Sequence, residues 1–145
     1  MTRINSAILV QNLTDEHLLA EHREIKRLPW CLDNAIECGS IKNIPEKFTL
    51  GKGQVLFFLD KMSFTHKRYC QIHEELKRRG FNIADYHERW QNVPARYNND
   101  YTPTVEERDL LIERISERIM NSTKDSFRYY GRIISKEEAV ELLKK

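Results

Sequence analysis

The chain has no long apolar run: its longest, Val55 to Leu59, falls far short of the roughly 20 residues a membrane-spanning helix requires. Its polar start carries no signal-peptide pattern, so the expected setting is the cytoplasm, with no membrane partner. Cysteine is scarce. Cys31, Cys38 and Cys70 are odd in number and form no CxxC pair, which argues against a disulfide framework and a zinc ribbon. All three are expected as reduced thiols that mostly pack. The histidines lack metal spacing, since His66 and His73 lie two helical turns apart and no cysteine or acidic pair completes a set; a metal site is rejected. There is no phosphate-cradling glycine pattern, no GxSxG elbow and no Cys/His couple in a recognisable context. Excess charge is missing too, and a formal net charge of +2 is weak evidence for a polyanion partner.

What is present is the material of one compact domain over residues 1–145. Hydrophobic residues make up 40% and charged residues 32%, with the signs mixed rather than blocked, so the chain is expected to fold. The charge is nevertheless uneven. Lys61 to Arg79 holds six Lys/Arg against Glu74 and Glu75, and Lys124 to Lys136 holds four against Asp125, whereas Glu106, Glu107, Asp109, Glu113 and Glu117 gather the acids.

The class read from the pattern is all-α, with about three main helices, long connecting loops and a short C-terminal helix. In NLTDEHLLAEHREIKRLP, Thr14 is the N-cap, Asp15 and Glu16 suit the positive helix end, Leu13 and Leu18 can staple the cap, and Pro29 stops the helix. Leu18, His22 and Ile25 fall on a packing face; His17, Ala20, Arg23, Glu24 and Arg27 fall on another, charged one. Trp30 to Gln54 reads as loop with short helical turns. A second helix begins near Val55 or Lys61 and runs to Lys77, with Gly80 as its stop. Asn82 to Tyr101 reads as loop. A third helix opens at Thr104 and Glu107, in capping-box spacing, with Leu111, Ile112, Ile115 and Ile119 as its apolar face. Ser135 and Glu138 repeat that signature for the terminal helix, and no strand pattern persists.

Three stretches could carry chemistry. In MTRIN, removal of Met1 exposes the α-amine of Thr2, whose unperturbed pKa lies about 2.5 units below that of lysine, giving a neutral, nucleophilic fraction larger by roughly a few hundredfold. Nearby arginines lower it further, although most chain termini are inert. HREIKR sets the Glu24 carboxylate between Arg23 and Arg27, where it can accept a proton or steady a cationic imine while the arginines grip phosphates; a solvated face of spaced ion pairs is the commoner meaning of such a run. His17 shares that face, as a DNA contact, an acid/base aid or an ordinary first-turn residue. SFRYYGR interleaves Phe127, Tyr129 and Tyr130 with Arg128 and Arg132, a combination that suits bases and phosphates, with at least one ring expected to seal the core instead.

Taken in order, MTRIN, HLLAEHREIKRLP, GKGQVLFFLDKMSFTHKRY, KRRGFN, NDYTP and YYGR resemble the phage-type pyrimidine-dimer DNA glycosylase and AP lyase family, the ultraviolet-repair endonuclease V. The resemblance implies an enzyme without metal or organic cofactor, working as a monomer on double-stranded DNA that contains pyrimidine dimers or abasic sites, in a bacterial or phage-infected cell. It implies that Thr2 attacks C1′ of the 5′ sugar of a cyclobutane dimer and forms an imine. Glu24 takes the family's essential glutamate position and assists β-elimination. Arg3, Arg23 and Arg27 match arginines that hold phosphates of bent DNA, and His17 matches a histidine of the same helix. A base opposite the lesion is flipped out in such enzymes, so readout of a kinked, weakened duplex is expected to dominate recognition.

The sequence departs from the family in two places. His22 and Lys26 replace a tyrosine and a proline, and Ser126, Phe127 and Arg128 stand where a further aromatic cluster is usual. Residues 135–145 match nothing in the family and read as a C-terminal extension for packing or solubility. Two competing readings are a glycosylase or lyase for another lesion, such as an abasic site or ring-opened purine, and a non-catalytic helical DNA-binding protein.

Overall fold

The computed structural model describes residues 4–145, apart from the side chain of Lys52. The chain is mostly helical with one small hairpin, and its class is all-α. The helices are α1 (Asp15–Ile25), α2 (Leu28–Glu37), α3 (Lys52–Phe58), α4 (Met62–Arg78), α5 (Val105–Met120) and α6 (Lys136–Leu143). Strands β1 (Ser126–Tyr129) and β2 (Arg132–Ser135) pair antiparallel, with Ser126 opposite Ser135 and Tyr129 opposite Arg132. Among the described residues no helix is long and apolar enough to cross a membrane.

Helix ends follow their caps. Thr14 accepts the His17 N–H at the start of α1, and Leu13 and Leu18, flanking that cap, are both fully buried. Thr104 accepts the Glu107 N–H at the start of α5, and Ser135 with Glu138 forms a complete capping box on α6. At the end of α4 the Phe81 N–H bonds to the Leu76 carbonyl and the Gly80 N–H to that of Lys77, a closure that requires the left-handed φ of +91° at Gly80.

Three expectations are corrected. Pro29 does not end a helix; it sits in the first turn of α2, where its missing N–H costs nothing, so residues 28–37 are helix rather than loop. The second expected helix is two, because the chain breaks at Leu59–Lys61 between α3 and α4. SFRYYGRIIS is a hairpin whose two-residue turn puts Tyr130 at φ 52° and Gly131 at φ 79°, the pair of positive angles that matches the twist of tightly connected strands.

One continuous core runs from Ile4 and Ile8 through Leu18, Ile25, Phe57, Phe58, Tyr69 and Trp90 to Leu111, Ile115, Ala139 and Leu143. Helix α6 thus packs its Ala139 and Leu143 into the core formed by the rest of the chain. Two arginines of the basic stretch 61–79 also lie inside. Arg68 grips Glu21 through two bonds of 2.8 and 3.0 Å and donates to the Ile8 carbonyl. Arg79, whose side chain is buried, bonds to Glu75 and Asp15. These cations tie α4 to α1 and to the segment before it, and so cannot serve a surface polyanion.

Candidate functional site

Helix α1 divides as its periodicity requires. Leu18, Glu21, His22 and Ile25 are buried, while Arg23 and Arg27 project into solvent and Glu24 lies between them, half-buried. Arg27 stands 3.6 Å from the Glu24 carboxylate. The Arg27 N–H bonds to the Glu24 carbonyl, a tight turn that aligns side chains three residues apart. The next turn brings in Cys31, whose thiol is pushed up by burial, then eased down by Arg27 and raised again by Glu24.

Beneath this face, the Nε2 of His22 lies 3.3 Å from the Nδ1 of His73. Burial, followed by the like charge of His73 and Lys26, pushes His22 down to about 4, so its ring is neutral near pH 7. The hydroxyl of Tyr69 donates to Asp85 at 3.0 Å. Burial alone would raise the Asp85 carboxyl, but the His87 backbone N–H, the Tyr69 hydroxyl and the His87 ring hold it at about 2. Lys26 and Arg89 share one ring: Nζ lies 4.2 Å and Cζ 4.6 Å from the centroid of Tyr86, and Arg89 donates to the Lys26 carbonyl. The C-terminal end of α1 therefore carries two separate arrangements: Arg27 beside the Glu24 carboxylate, and Lys26 with Arg89 over the Tyr86 ring.

The N-terminal end of α1 is a different place. His17 bonds to Thr14 at 2.6 Å and stacks on Phe127, whose ring is buried. The Tyr129 hydroxyl donates to the Gln11 carbonyl and that of Tyr130 to Glu75, and both rings lie within 5 Å of the buried Arg79 guanidinium. Arg128 and Arg132 extend into solvent. The hairpin is thus separated from Glu24 by most of the length of α1, on the order of 13 Å at 1.5 Å per residue. Thr2 and Arg3 lie outside the described residues. Ile4, the first described residue, is buried and held on both sides of its backbone by Gln54, which accepts its N–H at 3.1 Å and donates to its carbonyl at 2.8 Å.

Lys26, Trp30, Tyr86 and Arg89 had no part in the sequence-based site. The clue for Trp30 was the proline before it: read as the opening of a helix rather than the close of one, Pro29 puts Trp30 in a first turn. No such clue exists for Arg89, which reaches α1 across the fold.

The fold is a small helical scaffold that carries a half-buried carboxylate, Glu24, beside the exposed Arg27. The family model for pyrimidine dimer DNA glycosylase matches residues 1–89, and the chain belongs to that family of DNA-repair glycosylases. The matched residues take in MTRIN and α1 to α4; α5, the hairpin and α6 lie beyond them.

Proposed function

We propose that the protein cleaves the 5′ glycosylic bond of a cyclobutane pyrimidine dimer in duplex DNA and then cuts the strand through a Schiff base on the Thr2 α-amine. The amine lone pair bonds to C1′ as the C1′–N bond breaks and the pyrimidine leaves with the electron pair. Opening of the C1′–O4′ bond and loss of the amine proton give the imine. Glu24 takes a proton from C2′, and the electrons expel the 3′ phosphate by β-elimination. Arg3, Arg23 and Arg27 hold the flanking phosphates, and the protein acts as a monomer without metal or organic cofactor.

The observation that carries this reading is the Gln54 clamp on Ile4. A buried residue held at both its N–H and its carbonyl fixes the point from which the chain leads to residue 2. Support also comes from Glu24, set among cations rather than paired away inside the core as Glu21 is.

A second reading changes the lesion and keeps the lyase. It is favoured by the hairpin, where Phe127 is buried and Tyr129 and Tyr130 pack on Arg79, so the rings expected to meet a dimer are engaged within the protein. Incision of matched duplexes carrying a thymine dimer, an abasic site or neither tests both. Dimer-dependent cutting that Glu24→Gln abolishes without loss of lesion binding supports the first; cutting of the abasic duplex alone supports the second. Normal cutting by Glu24→Gln contradicts the role given to Glu24.

A further inference from the structure

Trp30 is 59% exposed, whereas Trp90 is 6% exposed, and Phe57, Phe58 and Tyr69 are buried almost completely. The indole gives the fold little in this position, since a large apolar side chain stabilises mainly by leaving water. It stands three residues after Arg27, the N-cap of α2, and Arg27 stands three after Glu24. The tight turn at 24–27 and the helical turn that follows put successive members of this series on neighbouring surface positions. The Cys31 N–H, next to Trp30 in the chain, bonds to the Arg27 carbonyl at 2.9 Å, which ties the first turn of α2 to Arg27. An exposed indole therefore stands one turn beyond Arg27, which itself lies 3.6 Å from the Glu24 carboxylate.

The segment that leads into it is cationic. Arg23 and Arg27 are exposed, and Lys26 and Arg89 are drawn together over Tyr86 at the same end of α1. Among the described residues, no ring or cation stacks on the Trp30 indole. A flat apolar surface framed by cations suits a nucleobase with its phosphates on either side, better than it suits an apolar protein surface, which would leave the cations unpaired.

We propose that Trp30 is a base-stacking residue that selects damaged over intact duplex. This rests on the DNA-repair reading above. A base in intact duplex already stacks on its neighbours and gains little from an indole, whereas a base whose stacking partner is lost or distorted gains a replacement surface. Discrimination then comes from the lesion's effect on the stack, independently of any bond to the lesion itself.

The protein carries its own probe, because Trp30 and Trp90 are its two tryptophans and Trp90 is buried with its N–H bonded to Thr65. The full chain is titrated with a duplex holding one tetrahydrofuran abasic analogue, which no lyase can cut, and with the intact duplex. The expected result is quenching of Trp30 emission by the damaged duplex beyond that by the intact one, and loss of that difference in Trp30→Ala. The damaged-over-intact affinity ratio should fall about tenfold or more in Trp30→Ala and largely return in Trp30→Phe, in line with the loss of one stacked base. An unchanged ratio in a folded Trp30→Ala, or a deficit that Phe does not restore, overturns the stacking role while leaving the repair reading intact. Failure of the parent protein to prefer the damaged duplex overturns both.

Discussion

The carboxylate of Asp15 accepts the backbone N–H of Tyr130 at 3.1 Å, a contact between residues 115 positions apart in the chain. The same oxygen, Oδ1, accepts from Arg79 at 2.9 Å, and the second, Oδ2, accepts the N–H of Gly131 at 3.0 Å. One side chain in the first turn of α1 thus satisfies the hairpin turn and neutralises a buried cation. Glu16, next in sequence, accepts the Arg128 N–H from the same hairpin.

Asp15→Ala is expected to cost about 3–5 kcal/mol, because it leaves the buried Arg79 side chain short of a partner and strips two N–H groups of their acceptor. A urea unfolding midpoint measures it. A loss below about 1 kcal/mol would mean that the hairpin and Arg79 find other partners readily.

Stability should depend on pH through two buried groups of opposite sign. Burial raises the Glu107 carboxyl to about 7 against the ordinary 4.5, despite the Thr104 hydrogen bond and the Lys61 charge that work the other way. Its Oε1 accepts the Tyr101 hydroxyl and its Oε2 has no hydrogen-bond partner among the described residues, as suits a neutral acid. Because the folded state holds this proton more tightly, the contribution is complete below pH 4.5 and is lost as pH rises to about 7, on the order of 3 kcal/mol. His22, lowered from 6.5 to about 4, does the reverse: its contribution is present above 6.5 and lost as pH falls toward 4. Urea midpoints at pH 5 and pH 8 should therefore fall less steeply with rising pH in Glu107→Gln than in the parent. Equal slopes would show that Glu107 ionises normally.

Arg23→Ala and Arg27→Ala should each weaken binding to damaged and intact duplex by similar factors. Each should reduce the slope of log affinity against log salt by about one, the signature of one lost phosphate contact. A slope that does not change on either substitution would remove these two residues from the phosphate contacts.

Where a local signal was sufficient, the sequence was legible. Thr14, Thr104 and Ser135 marked the starts of α1, α5 and α6, because a capping hydroxyl and its acceptor lie within one turn. Gly80 marked the end of α4 for the same reason. The hairpin was not legible, since a Tyr–Gly turn lacks the usual Asn–Gly signature and Tyr130 holds its positive φ with help from Asp15 and Glu75, both remote in sequence. Helix α2 was hidden by an ambiguity: proline is found both after helices and in their first turns.

The candidate site divides along the same line. Arg23, Glu24 and Arg27 could be grouped because helical spacing is local, and the structure keeps them on one exposed face. That Arg68 and Arg79 are internal while Lys26 and Arg89 meet over Tyr86 could not be read, because charge type does not reveal whether a partner waits across the fold. The rings of SFRYYGR show the same limit. Aromatics among arginines describe a stacked internal guanidinium as well as they describe a DNA contact.

The most direct test is borohydride trapping on a duplex with one cis-syn thymine dimer, beside abasic and intact duplexes, followed by mass mapping of the adduct. The account predicts a dimer-dependent crosslink on the peptide that begins at Thr2, with Met1 gone. Absence of a crosslink on the dimer and abasic duplexes alike, in protein whose N-terminus is confirmed as Thr2, would contradict it.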